Sequence, residues 1–354
     1  MAMVSFASWS VLIADFLIVL YLMLGGVTLA AILHLSSAKW RYEVRNIAVS
    51  LFGLYPVAFV LLVILLSGGK TTFPWLAMQD MIKPSGEVLM HEHLPGWHNY
   101  AFLLIRQIGG FALVAFLYAR FIKLQAVSDE NEENWNRFKQ IAYWVPVIYV
   151  LYGTMVAWDF EMTMLPAWES AIYGMYHFVS NFGMFLSFTV TLIYFLSKSN
   201  KLVKPMPEYV YNYIAQMMLA FTILWTYTFF AQYLTIWYGN LPPERNRIDS
   251  MQNGDYSVLW WTFFTLKFLV PFISLIFTRT RHTPSMIVAV AFSIMLGTWL
   301  ERYTWIAGTY PTGPYVENHM PMTGLFDIVV TVVVFSASYF LVRRSLTRNN
   351  IIQP

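Results

Sequence analysis

The sequence predicts an all-α integral membrane protein with about nine crossings. Three observations predict it. Of its 354 residues, 58% are hydrophobic and 12% charged, with a mean hydropathy of +0.54, which leaves too little polar surface to cover a water-soluble globule of this size. Apolar stretches of about twenty residues, enough to cross ~30 Å of hydrocarbon, recur with polar breaks between them. Lysine and arginine gather on alternate breaks, as the positive-inside rule requires.

The first stretch, 9–35, lacks a basic leader and is too long for the apolar core of a signal peptide, so it reads as a retained helix. Spans at 47–67, 97–121, 140–158 and 168–196 follow, with Pro56 and Pro146 as kink candidates. The acidic stretch "SDENEENWNRF" ahead of the fourth span reads as a solvated connector, because blocks of like charge avoid structure. The sixth span, 207–238, ends in "TFFAQYLTIWYGNLPPE": Trp237 and Tyr238 suit the interfacial aromatic belt, and Gly239-Asn240 with Pro242-Pro243 stops the helix. The last three spans fall at 257–277, with Pro271 inside, 284–304 and 322–342. The longer outer breaks are 68–96 and 239–256. No soluble catalytic domain fits between the spans, so 1–354 reads as one polytopic membrane domain.

One set of breaks carries Lys39, Arg41 and Arg45; Arg120, Lys123, Arg137 and Lys139; Lys198, Lys201 and Lys204; Arg279 and Arg281; and Arg343, Arg344 and Arg348. The opposite set carries Lys70, Lys83, Arg245 and Arg247. This asymmetry predicts an outside N-terminus and a cytoplasmic C-terminus. No basic arm points to nucleic acid. The absence of cysteine excludes disulfides, thiolate catalysis and cysteine-ligated clusters from this chain.

Ionisable groups inside apolar spans are costly and face the bundle interior, water or one another. By this topology Asp15, Arg106, Asp159, Glu169, His177, Glu301, Arg302 and Asp327 fall in the outer half of the bilayer, with Lys267 near the middle. Pairing that only sets helix register is the bland reading, for example Arg106 with Asp15 or Lys267 with Asp327. Their common depth favours function. Glu169, Tyr173, His177 and Asn181 recur every four residues, so a helix aligns them in one stripe suited to passing protons. Asp327, Thr331 and Ser338 share a face of the last span, and Thr228, Gln232 and Thr235 share one of the sixth. Gln232 is expected to bond across to the seventh or eighth span, closing a polar cavity beneath the aromatic rim. His34 and His177 lie at opposite depths and do not bracket a haem. The loop "MHEHLPGWH", with His91, His93 and His98, reads as an outer cap; no metal site is assigned.

The stretches "YTFFAQYLTIWYGNLPPE" and "WWTFFTLKFLVPFISLIFTR" resemble the polysulfide-reductase, or NrfD-like, membrane subunits of bacterial alternative complex III, a quinol:electron-acceptor oxidoreductase. "WDFEMTMLPAWESAIYGMYHF" is similar to the F subunit more than to its homologue, the C subunit, and "LYPVAFVLLVILLSGG" and "WHNYAFLLIRQIGGF" fit as well. The resemblance covers nearly the whole chain. It implies two four-helix bundles plus an extra helix, a bacterial cytoplasmic membrane location, no covalently bound cofactor and menaquinone as the quinone. The implied partners are a homologous NrfD-like membrane subunit, an extracytoplasmic iron–sulfur subunit, c-type cytochrome subunits and lipids, with clusters and haems c held by those partners. The acceptor it implies is of the cytochrome c or auracyanin type. This chain departs from the family where "PAW" (Pro166-Ala167-Trp168) replaces "PHW", where Lys267 replaces a histidine, and in beginning one helix later.

The expectation is therefore a membrane subunit of a quinol-oxidising complex. Asp159, Glu161, Glu169, Tyr173, His177 and Asp327 are the proton-transfer candidates. Gln232, Lys267, Glu301, Arg302, Arg106 and Asp15 are expected to shape a polar cavity or quinone site. The alternative is a structural anchor for the iron–sulfur and cytochrome subunits. A secondary transporter comes last, because Pro56, Pro146 and Pro271 do not pair into two corresponding halves.

Overall fold

The computed structural model describes residues 5–78, 96–166, 168–309 and 320–353. Among these, regular structure is helical apart from one isolated bridge, Leu202 to Ile352. Among the described residues, nine helices are long and apolar enough to cross a membrane: Phe6–Leu35, Arg41–Ser67, Tyr100–Val127, Glu132–Met164, Tyr173–Lys198, Glu208–Gly239, Ser257–Ile276, Pro284–Ala307 and Leu325–Arg348. They are called spans one to nine. The protein is an all-α, multi-pass integral membrane protein.

Span one is the central post. It is predominantly apolar all round and almost wholly buried, with Asp15 as its carboxylate, and such a helix is stable only when surrounded. Spans two, four, five, eight and nine pack around it. Spans two to four lie with it in one group, spans five to eight form a second group, and span nine seats against spans one and two. Close approach of spans one and two depends on Gly26, where a Cβ would lie 2.2 Å from the Ala48 carbonyl oxygen.

Three departures from the sequence reading have local causes. Span five begins at Tyr173 rather than 168, which leaves Glu169 on the preceding loop, exposed. The acidic run is not a connector: Asn131 caps span four by accepting the Asn134 N–H at 2.8 Å, and Glu132 and Glu133 occupy the first turn. Carboxylates there complement the positive end of the helix dipole, which outweighs their mutual repulsion. The segment after span six folds as a helix, Pro242–Asn253, started by proline in its first turn after Asn240 (φ +49°) ends the span.

Span seven contains a π-turn, Thr265–Leu269, just ahead of Pro271. Proline has no N–H for the carbonyl four residues back, and local rewinding re-satisfies the backbone inside a bilayer. The Val270 N–H bonds to the Thr265 carbonyl, and Lys267 is buried.

Candidate functional site

Span four breaks at Glu161 (φ −136°, ψ −61°), whose carboxylate is buried against spans five and eight. Tyr173 donates its hydroxyl to Glu161 Oε2 at 2.6 Å, and Arg302 Nη1 donates to the same oxygen at 2.6 Å. His177 Nε2 lies 3.3 Å from Glu161 Oε1. Tyr173 and His177 reach one carboxylate because they are one helical turn apart. The next residues round span five, Tyr176 and Ser180, face the other way, towards Glu301.

Glu301 and Arg302 are adjacent on span eight; Arg302 reaches Glu161, Glu301 reaches Lys267, and the two side chains also meet each other. Glu301 Oε1 accepts from Tyr176 and, at 2.8 Å, from Trp225 Nε1. Glu301 Oε2 accepts from Lys267 Nζ and from Ser180 Oγ at 2.5 Å, and lies 2.9 Å from Arg302 Nη2. Lys267 also donates to Ser180 Oγ at 2.5 Å. Arg302 thus joins two carboxylates, and the network balances Glu161 and Glu301 against Lys267 and Arg302 with His177 as its imidazole. In low-dielectric surroundings such balance is what makes buried charge tolerable.

Aromatic rings wall the network: Lys267 Nζ lies 4.7 Å from the Trp225 ring centre, and Trp305 Nε1 donates to the Tyr176 hydroxyl at 2.9 Å. Arg247, which the sequence offered only as an outer-loop charge, closes the end of the network where span four breaks. Its guanidinium donates to the carbonyls of Met162 (3.1 Å), Glu161 (2.9 Å) and Trp305 (3.1 Å) and to Thr309 Oγ1 (2.9 Å). It stacks 4.6 Å from the Trp168 ring centre. It thereby satisfies carbonyls freed where span four breaks. The signal was available: on a helix over 242–253, Arg247 shares a face with the apolar Ile248 and Met251, all three buried.

Two further clusters stand apart from this network. Arg106 binds Asp159 bidentately, Nε to Oδ2 at 2.9 Å and Nη2 to Oδ1 at 2.6 Å. Trp97 Nε1 (2.7 Å) and Gln107 Nε2 (2.5 Å) add a donor to each carboxylate oxygen. Asp15 accepts from Trp299 Nε1 at 2.7 Å and from Thr331 Oγ1 at 2.8 Å, tying spans one, eight and nine together. The pairings Arg106 with Asp15 and Lys267 with Asp327 are therefore not formed.

Other candidates sit elsewhere. Asp327 is buried in the first turn of span nine and accepts the Gly324 N–H at 3.5 Å, a capping role. Gln232 is buried, but its Oε1 accepts from Ser170 Oγ (3.3 Å) on the loop before span five and not from span seven or eight. Glu169, off the helix and exposed, leaves the stripe to Tyr173, His177 and Asn181. His98 Nε2 is 3.0 Å from the Thr163 carbonyl oxygen; His91 and His93 lie outside the described residues. His34 is buried at the other end of span one, edge-on to Trp135 and Phe138.

All three clusters lie at one end of the bundle, near the starts of spans one, three and five and the ends of spans four and eight, with Lys267 deeper. Beneath them the His177 ring meets Tyr21 edge-on at 5.0 Å, and Tyr21 meets Tyr149 at 6.0 Å. The hydroxyls of Tyr149 and Tyr152, Asn181 Oδ1 and Gln107 Oε1 are buried without a protein hydrogen-bond partner among the described residues. Buried groups of this kind are ordinarily satisfied by internal water.

A quinone ring, implied by the resemblance, needs a donor or acceptor facing open space. The ionisable groups of the network do not provide one in this arrangement: Glu161, His177, Glu301 and Arg302 have no exposed surface and Lys267 has 3%. Among the described residues, no group of three or more His, Cys, Asp or Glu side chains is placed to hold a metal ion. No protein-family model matches the chain, and no curated protein matches it.

Proposed function

We propose that this chain is a membrane subunit of a bacterial quinol:electron-acceptor oxidoreductase of the alternative complex III kind, and that its part is proton transfer. The observation supporting this reading is the contact of His177 Nε2 with Glu161 Oε1, 3.3 Å apart, inside a buried, charge-balanced network. Imidazole is the side chain that ordinarily exchanges protons near neutral pH. A proton on His177 is shared with Glu161, whose charge Arg302 offsets. Asn181 Oδ1 and the Tyr149 and Tyr152 hydroxyls, buried without a protein partner among the described residues, are the groups through which it would pass onward. Quinol oxidation releases protons together with electrons, and both need a route.

In this reading the redox centres belong to partners: an extracytoplasmic iron–sulfur subunit, c-type cytochrome subunits and a homologous membrane subunit where menaquinol is oxidised. The chain sits in the bacterial cytoplasmic membrane with its N-terminus outside, which puts the three clusters on the side of those partners. The test is His177→Gln in the assembled complex, with quinol-dependent electron transfer and proton release measured together. The expected outcome is normal assembly with protons released per electron lowered several-fold.

A structural anchor is the second reading, favoured by the way Asp159 and Glu301 are saturated with donors. Unchanged proton yield in His177→Gln supports the anchor and overturns the proton role.

A further inference from the structure

We propose that the groove between spans one, five, eight and nine is the binding site of one anionic phospholipid, with its acyl chains along the groove and its phosphate between Lys201 and Arg343. The groove encloses about 1070 Å³. Val19 and Leu22 of span one, Phe188 and Leu192 of span five, Met295 of span eight and Phe335 of span nine give it hydrocarbon walls. Surfaces of that kind take acyl chains and exclude water. The inference does not rest on the proposed proton role.

The two ends of the groove differ, and the difference identifies the occupant. One mouth is lined by Pro321 and Met322 and carries no charge. The other carries Lys201 and Arg343 beside Asn200 and Gln353. Both cationic side chains are exposed, and neither has an ion pair or side-chain hydrogen bond among the described residues. Their spacing is built into the fold. Asn200 (φ +51°) and Asn350 (φ +53°) turn the chain after spans five and nine. The two tails then pair: the Val203 N–H donates to the Ile351 carbonyl at 3.0 Å, and the Gln353 N–H to the Lys201 carbonyl at 2.9 Å. This clamp holds Lys201 at the end of span nine.

Two preset cations at one mouth of an apolar groove complement a single phosphate headgroup at the level of the membrane surface. A neutral quinone ring has no use for them. Each basic residue near a membrane surface favours an anionic headgroup by about fivefold, so the pair is worth about thirtyfold.

The test uses the full-length chain, delipidated in detergent and titrated with phosphatidylglycerol or phosphatidylcholine while bound lipid is counted by native mass spectrometry. The expected result is one phosphatidylglycerol held about thirtyfold more tightly than phosphatidylcholine. Lys201→Gln with Arg343→Gln removes that preference, whereas Arg344→Gln, on the same helix but outside the groove, keeps it. Met295→Trp, which fills the groove and leaves the cations in place, weakens both lipids. Equal binding of the two lipids by the unaltered chain overturns the proposal. So does loss of the preference in Arg344→Gln to the same extent as in the double variant, or retention of menaquinone in place of phosphatidylglycerol.

Discussion

Glu301 is the residue on which most of the buried charge depends. Tyr176 and Trp225 donate to one of its oxygens, and Ser180, Lys267 and Arg302 crowd the other. Removing one partner of a buried ion pair leaves the other uncompensated, which costs about 3–5 kcal/mol. Glu301→Gln is expected to destabilise the protein by about that amount. Adding Lys267→Met restores charge balance and is expected to recover most of the loss. Reversible unfolding in mixed micelles measures both; a Glu301→Gln protein as stable as the original contradicts the balance described. That Lys267, Glu301 and Arg302 belong to a buried polar set was legible from their place in apolar spans. Their partners were not. Pairing depends on how each helix is rotated about its axis, and a one-dimensional pattern leaves that angle open.

Span seven carries the clearest case of an element shaped by its neighbour. Its π-turn brings Lys267 against span eight at Gly297, where a Cβ would stand 2.6 Å from Lys267 Cγ and 3.0 Å from Leu266 Cβ. Gly297→Ala therefore forces the π-turn outward, and overpacking of this kind costs about 1–3 kcal/mol. Gly109→Ala provides the comparison: nothing lies within 4 Å of that Cβ, so thermal unfolding should show no loss or a small gain. Pro271 marked the region from sequence as irregular. It did not reveal which rewinding the backbone adopts, because several satisfy the same freed carbonyl. The acidic run before span four teaches the converse. Its composition argued for a solvated connector, and the cap at Asn131 made it the start of a helix.

The whole molecule is organised around span one, with the ionisable clusters gathered at one end and the basic tails at the other. If charge bias sets orientation, the end bearing Asn136 faces the cytoplasm and the helix bearing Asn246 faces outside. The chain has no cysteine, so single thiols report position without background. In intact cells a membrane-impermeant maleimide is expected to label Asn246→Cys and to label Asn136→Cys only after permeabilisation. Both side chains are exposed, so a failure to label is not caused by burial. The opposite pattern inverts the topology and moves the clusters to the cytoplasmic side.

By itself the sequence determined the all-α membrane class and the nine apolar stretches long enough to cross a bilayer. Those properties follow from hydropathy and charge summed along a line, and a bilayer reads them in that form. Only the tertiary structure decided that Arg247 reaches back to cap span four, that Asp159 belongs with Arg106, and that Glu161, His177, Arg302, Glu301 and Lys267 form one network. Except for the one between the neighbours Glu301 and Arg302, those contacts join residues on different elements, and their formation depends on helix rotation, on where helices break and on the close approach of one backbone to another.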